Sequence, residues 1–164
     1  RRIRSRPCGR SPVSRRELRP RDGATVLSFG AWPAVGDQPL DRVETPDAPV
    51  APNVHALIPS TVVIREGGTV NYIISGFHQV VVYDSGKEPS DVDTGTLIEI
   101  PGAPPEVGLI DDPEMRLYRG ASPIGLPQDR VEAVQFGRRG LYLVICSVNV
   151  HFAEDMYGWV LVLG

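Results

Sequence analysis

Four residues separate Cys146 from His151, and four more separate His151 from Met156, in the stretch "CSVNVHFAEDM". The whole chain has only two cysteines, three histidines and two methionines, so this one segment concentrates its soft and borderline metal donors. A thiolate, an imidazole and a weak thioether make up the donor set of a blue-copper site once a second imidazole joins them. "GFHQVVVYD" supplies that imidazole as His78, at the head of an apolar run. The set is then His78, Cys146 and His151, with Met156 as a long axial ligand. Taken singly, each residue has a blander reading. A lone cysteine on a core strand is a small hydrophobe. A histidine opening an apolar strand is a hydrogen-bonded structural residue, and a methionine beside a strand is core. The joint spacing favours a metal.

A ligand loop needs rigid supports. "LYLVIC" (141–146) and "YGWVLVLG" (157–164) are apolar runs on either side of the stretch, and a loop held at both ends by a sheet takes its geometry from the fold. "ATVLSFGAW" (24–32) reads as a first strand, and "STVVIREGGTVNYIISG" (60–76) as two strands around the turn Glu66–Gly68. "FHQVVVYD" (77–84) and "TLIEI" (96–100) read as further strands, "MRLYRG" as a weak one, and "VEAVQF" (131–136) alternates as a half-buried strand does. The segments 33–53, 85–95 and 101–114 read as loops. No segment predicts a helix, and nothing repeats. The expected fold is all-β, a Greek-key antiparallel β-sandwich with long irregular loops.

The 17 glycines and 16 prolines suit such a turn-rich architecture, and 164 residues suffice for one hydrophobic core. The net charge of −3 is unevenly spread: residues 1–20 hold eight arginines against Glu17, so the remainder carries −10. A disordered basic tail over 1–22 and a single domain over 23–164 are expected. The acidic domain argues against nucleic acid as a partner. "SRREL" (14–18) is similar to a twin-arginine export signal, yet the apolar stretch after it reads better as the first strand. A Cys8–Cys146 disulfide is not expected, because it would pin the tail to the core. No apolar run is long enough to span a bilayer.

Two blocks resemble the cupredoxins, the family of small blue copper proteins. "STVVIREGGTVNYIISGFHQVVVYD" is similar to their strand, acidic-glycine turn, strand and first-histidine block, and "GLYLVICSVNVHFAEDMYGWVLV" to their C-terminal Cys…His…Met-x-Gly-x-Val block. The spacing of Cys146, His151 and Met156 is like that of auracyanins and plantacyanins. The resemblance covers about residues 55–164. It implies a mononuclear type 1 copper cycling between Cu(I) and Cu(II), held by His78, Cys146, His151 and Met156, and one-electron transfer rather than catalysis. It also implies redox protein partners, a monomer, and a periplasmic or extracellular location. Two departures stand out. Gln79 follows the first histidine, where many members carry an Asn or Ser that ties the ligand loops together. Asn149-Val150 replaces the Pro-Gly often found before the second histidine.

The neighbouring residues have competing readings. Tyr142 closes a tyrosine corner or simply fills the core. Phe152, Tyr157 and Trp159 could border the metal, with Trp159 the most core-like. Glu154 and Asp155 read as a solvated turn, or as an acidic rim that steers a basic partner. His55 reads as a surface residue and Met115 as lying outside the ligand loops. "DVDTG" (91–95) lacks the later acidic ligand of a calcium loop. The alternative to an electron carrier is a copper-binding module for storage or delivery without a redox circuit. A multicopper enzyme is disfavoured, because only His55 would remain for a second centre.

Overall fold

The computed structural model describes residues 21–28, 55–74, 76–125 and 130–164. The arginine-rich segment before residue 21, Cys8 and the connection at 33–53 lie outside these. Among the described residues, ten strands follow in order: β1 (Arg21–Ser28), β2 (Leu57–Ile58), β3 (Thr61–Ile74), β4 (Val80–Ser85), β5 (Leu97–Glu99), β6 (Gly108–Ile110), β7 (Arg116–Arg119), β8 (Arg130–Gln135), β9 (Gly140–Cys146) and β10 (Tyr157–Leu163). One short helix, α1 (Asn149–Ala153), sits between the last two strands. Among the described residues, no helix is long and apolar enough to cross a membrane.

Eight strands form one curled sheet in the order β2-β1-β3-β10-β9-β4-β7, with β8 paired to β3, and β5 pairs with β6 in a small second sheet. The all-β expectation holds, but the sheet is mixed. β3 runs parallel to both β1 and β10, whereas β9 pairs antiparallel with β10 and β4. Residues 60–76 were expected to form two strands around a turn. They instead form the single strand β3, bent in its middle. Gly67 there takes φ 83°, and Gly67 and Phe136 are joined by a backbone hydrogen bond of 2.8 Å. A positive φ without a reversal lets one strand serve two parts of the sheet. The residues before the bend pair with β10, and those after it pair with β8. β6 is a further difference, a buried Gly-Leu-Ile strand inside the segment expected to be loop.

The alternation along β3 buries Val62, Ile64, Val70, Tyr72 and Ile74, and these meet Val82, Val134, Tyr142, Val144, Val160 and Val162 in the main core. β4 and β9 are buried on both faces, which explains their unbroken apolar runs. Their second face, with Val81, Tyr83, Leu143 and Ile145, packs on Val92 and Ile110. Tyr142 settles into the main core with its hydroxyl donating 2.7 Å to the carbonyl of Arg138, four residues upstream. That contact is the backbone-directed hydrogen bond of a tyrosine corner. Tyr142→Phe is expected to lower stability by about 1 kcal/mol, since the Arg138 carbonyl keeps access to water at this half-exposed turn. A melting curve or denaturant titration measures it, and no loss would mean that the ring alone matters.

Candidate metal centre

The site forms where β4 begins and β9 ends. Val80 pairs directly with Cys146, so His78, two residues before Val80, lies beside the end of β9. Gly76 at φ 93° turns the chain out of β3, and the His78 amide donates 2.9 Å back to the Gly76 carbonyl. His78 is 1% exposed. Its carbonyl accepts a 2.7 Å bond from Nη2 of Arg130, whose Nε is held by Glu132 at 2.6 Å.

The loop from Cys146 to Met156 is not irregular, as expected, but contains one helical turn. Five residues are too few to show a helical period in the sequence. The turn is closed by bonds from Phe152 N to Val148 O and from Glu154 N to Val150 O. Asp155, at φ 62°, ends it, in a conformation that Asp tolerates better than most residues. Asn149 stands in the place of the missing Pro-Gly and does a different job. Its side chain accepts from Gly108 N at 3.0 Å and donates to Glu106 O at 2.7 Å, which fastens the turn to the approach of β6. Ser147 O accepts from Ile110 N at 2.7 Å on the same side.

Gln79 does tie the two segments that carry the candidate donors. Its carbonyl accepts from Ser147 N at 2.9 Å, and its Oε1 accepts from Ser147 Oγ at 2.7 Å. The longer side chain reaches further: Nε2 donates to Gly120 O at 2.8 Å, and Arg119 Nε donates to the same Oε1 at 3.2 Å. Arg119 is in turn paired with Asp111 at 2.7 Å. One buried side-chain amide thus joins the residue after His78 to the residue after Cys146 and to the end of β7.

His78, Cys146 and His151 converge. Their donor atoms stand 3.1 Å apart (His78 Nδ1 to His151 Nδ1), 3.7 Å (Cys146 Sγ to His78 Nδ1) and 3.6 Å (Cys146 Sγ to His151 Nδ1). A triangle with these sides has one point about 2.0 Å from every corner, beside metal–ligand lengths of about 2.0–2.1 Å for imidazole and about 2.3 Å for thiolate at zinc, a metal of similar size. The donor set therefore fits a small transition-metal ion. Cys146 is a free, buried thiol. Burial, followed by the neighbouring His78 and His55, pushes the His151 imidazole down to about 3, so it stays neutral and can ligate at any ordinary pH. Met156 is fully buried and shares an apolar cluster with Cys146, Leu109 and Val148, bordered by Phe77. Its carbonyl accepts from Cys146 N at 3.0 Å and its amide donates to His151 O at 3.0 Å.

The third histidine was read as a surface residue, and here the structure differs. The His55 ring stacks on His151, with centroids 3.7 Å apart and planes 25° from parallel, and meets His78 edge-on at 5.9 Å. Its Nδ1 hydrogen-bonds the Glu154 carboxylate, so Glu154 is engaged rather than merely solvated. Phe152, Tyr157 and Trp159 form a row at 5.8 and 5.5 Å spacing that packs on the Leu143–Ile145 face. Met115 packs there too, in a cluster separate from that of Cys146 and Met156.

No protein-family model matches the sequence, and no curated protein does. Solved structures do match. The dithionite-reduced auracyanin of the photosynthetic bacterium Roseiflexus castenholzii aligns over 88% of this chain and 99% of its own, with a TM-score of 0.52 and 17% identity. Auracyanin A of Chloroflexus aurantiacus, described as a "blue" copper protein, aligns over 85% and 97% with a TM-score of 0.47 and 17% identity. A pseudoazurin from Sinorhizobium aligns over 87% and 74%, with a TM-score of 0.45 and 14% identity. The Roseiflexus match carries the assignment, and at that identity it is an assignment of architecture: the chain has the cupredoxin fold.

Proposed function

We propose that the protein is a mononuclear type 1 copper protein that carries one electron at a time. His78, Cys146 and His151 hold the metal and Met156 stands as the weak axial donor. The convergence of two imidazole nitrogens and one free thiol on a single point carries this reading. Bound there, copper would supply a one-electron Cu(I)/Cu(II) couple. The chain's own residues do the rest. Gln79 and Arg130 hold the backbone around His78, and Asn149 holds the turn that bears His151. Leu109, Val148 and Met156 keep water from the sulfur. A site fixed in this way changes little when its charge changes, so little reorganisation opposes electron transfer.

Two observations favour a carrier over a copper enzyme. All three histidines of the chain meet at this one site, which leaves no imidazole for a second centre. The auracyanin with the same fold was captured in a dithionite-reduced state, a redox-active relative in structure. The partners are then redox proteins that deliver and accept single electrons, with no nucleic acid involved. The protein acts as an exported monomer, periplasmic or extracellular, with residues 23–164 as its copper-carrying domain.

Copper titration of the purified protein tests the reading. One equivalent of Cu(II) is expected to give an intense visible thiolate-to-copper band, bleached by reductant and restored by oxidant. Colourless protein that holds only Cu(I) would leave a storage or delivery module. Protein that takes up no copper would end both readings.

A further inference from the structure

The two imidazoles of the site are not equally secured. His78 is enclosed, its carbonyl held by Arg130 and its neighbour Gln79 bonded on both sides. His151 is half-buried on a helix of five residues. That turn lacks a side-chain cap at its start, so its local hydrogen bonds alone hold the ring poorly. Asn149 fastens the turn as a whole, but a restraint on the ring itself comes from a distant part of the sequence. His55 lies 99 residues from Glu154, yet its ring covers the face of His151 and its Nδ1 is tied to Glu154, three residues after His151.

We infer that His55 is a positioning residue for His151. Its ring closes over the imidazole like a clamp, and Glu154 sets the angle of the clamp. His151 cannot swing away from Cys146 and His78 without giving up the stack, whose attraction adds to that of the apolar area it buries. The Glu154 carboxylate accepts from Nδ1–H of His55 and so fixes the tautomer and tilt of the covering ring. The side chain of His55 is 10% exposed and that of Glu154 is 64% exposed, so the ring is the covered part of the clamp and the carboxylate its wet end. The device also fastens the chain entering β2 to the ligand loop, a junction between distant parts of the sequence. As it bears on metal retention, the inference rests on the copper reading; as it bears on the ring itself, it does not.

The experiment therefore has two arms, each applied to wild type, His55→Ala and His55→Phe in the full chain. The first uses metal-free protein and reads the ring signals of His151 by ¹⁵N-resolved NMR. Wild type is expected to show one sharp set, His55→Ala a broadened or doubled set, and His55→Phe, which keeps a stacking ring without the Glu154 bond, a set closer to wild type. The second arm reads the rate at which a Cu(I) chelator strips the loaded protein. His55→Ala is expected to release copper about 3- to 10-fold faster than wild type, with His55→Phe between them. Unchanged ring signals and an unchanged release rate in His55→Ala would overturn the clamp. So would loosening in His55→Ala that phenylalanine does nothing to restore. Should the alanine variant fail to fold, the phenylalanine variant decides, since a clamp made by stacking must keep a single His151 ring set. A wild type that binds no copper would defeat the copper reading, while the metal-free arm would still decide the clamp.

Discussion

Cys146→Ser is expected to erase the visible copper band completely while leaving the sandwich folded. The reasoning has two halves. A serine hydroxyl does not ionise at neutral pH and is a hard donor, so it cannot replace a thiolate in a charge-transfer transition or hold Cu(I) well. The fold, however, asks little of the sulfur. Cys146 ends β9, and its backbone amide, which donates to Met156 O, is untouched by the change. Its side chain packs as a small hydrophobe among Leu109, Val148 and Met156. A hydroxyl placed there would be buried, but His78 and His151 both present Nδ1 within reach of the sulfur position, and a neutral imidazole accepts from a hydroxyl. The loss in stability should thus stay near 1 kcal/mol. Absorption spectra and melting curves of the copper-treated variant measure both halves. Colour that survives would mean that the thiolate has been misassigned, and a variant that unfolds would mean that the sulfur serves chiefly as packing.

The candidate ligand loop could be proposed from the sequence because its information is local. Cys146, His151 and Met156 lie within one turn-forming stretch between two apolar strands, and their spacing can be read without knowing how the chain closes. His78 was legible at second hand, as the histidine that begins an apolar strand. The structure explains the position: Val80 pairs with Cys146 and brings the residues before β4 to the end of β9. His55 was not legible. "NVHALIPS" has no pattern that separates a surface histidine from one stacked on a partner 96 positions away, and only closure of the fold supplies the contact. Strand direction was lost for a similar reason. Apolar alternation tells which side chains face the core but is the same for parallel and antiparallel neighbours, so β3 between β1 and β10 could not be read as a parallel strand. The bend at Gly67 had a correct signal, a glycine-rich dipeptide, with the wrong consequence. Glu66–Gly68 changes the course of one strand instead of reversing the chain. Gln79 shows the opposite case. The departure from the usual Asn or Ser keeps the tie to Ser147, and its extra length adds Gly120 and Arg119 to the network.

Removing Glu132 is expected to damage the protein more than any surface charge could. Its carboxylate is 8% exposed and takes three donors: the Tyr118 hydroxyl at 2.8 Å, the Ala121 amide at 3.2 Å and Arg130 Nε at 2.6 Å. Arg130, itself 13% exposed, spans from that carboxylate to the carbonyls of His78 and Ala121. The group sits where β7, β8 and the entry to β4 meet, and Gly120 is the residue that makes room for it. A Cβ on Gly120 would stand 2.0 Å from Glu132 Oε2. Glu132→Ala leaves a largely buried guanidinium without its carboxylate, a loss of about 3–5 kcal/mol, which for a domain of this size lowers the melting temperature by about 6–20 °C. Glu132→Gln keeps the volume and one acceptor oxygen, which can face Ala121 N and Arg130 Nε while its amide NH2 donates to the Tyr118 hydroxyl oxygen, and should recover a good part of that loss. Tyr118 gives an independent readout. Burial first, then the bond and charge of Glu132, push its phenol up to about 12, so in either variant it should ionise at lower pH than in wild type, as followed by ultraviolet titration. A melting temperature unchanged in Glu132→Ala would mean that Arg130 finds water as good a partner as the carboxylate.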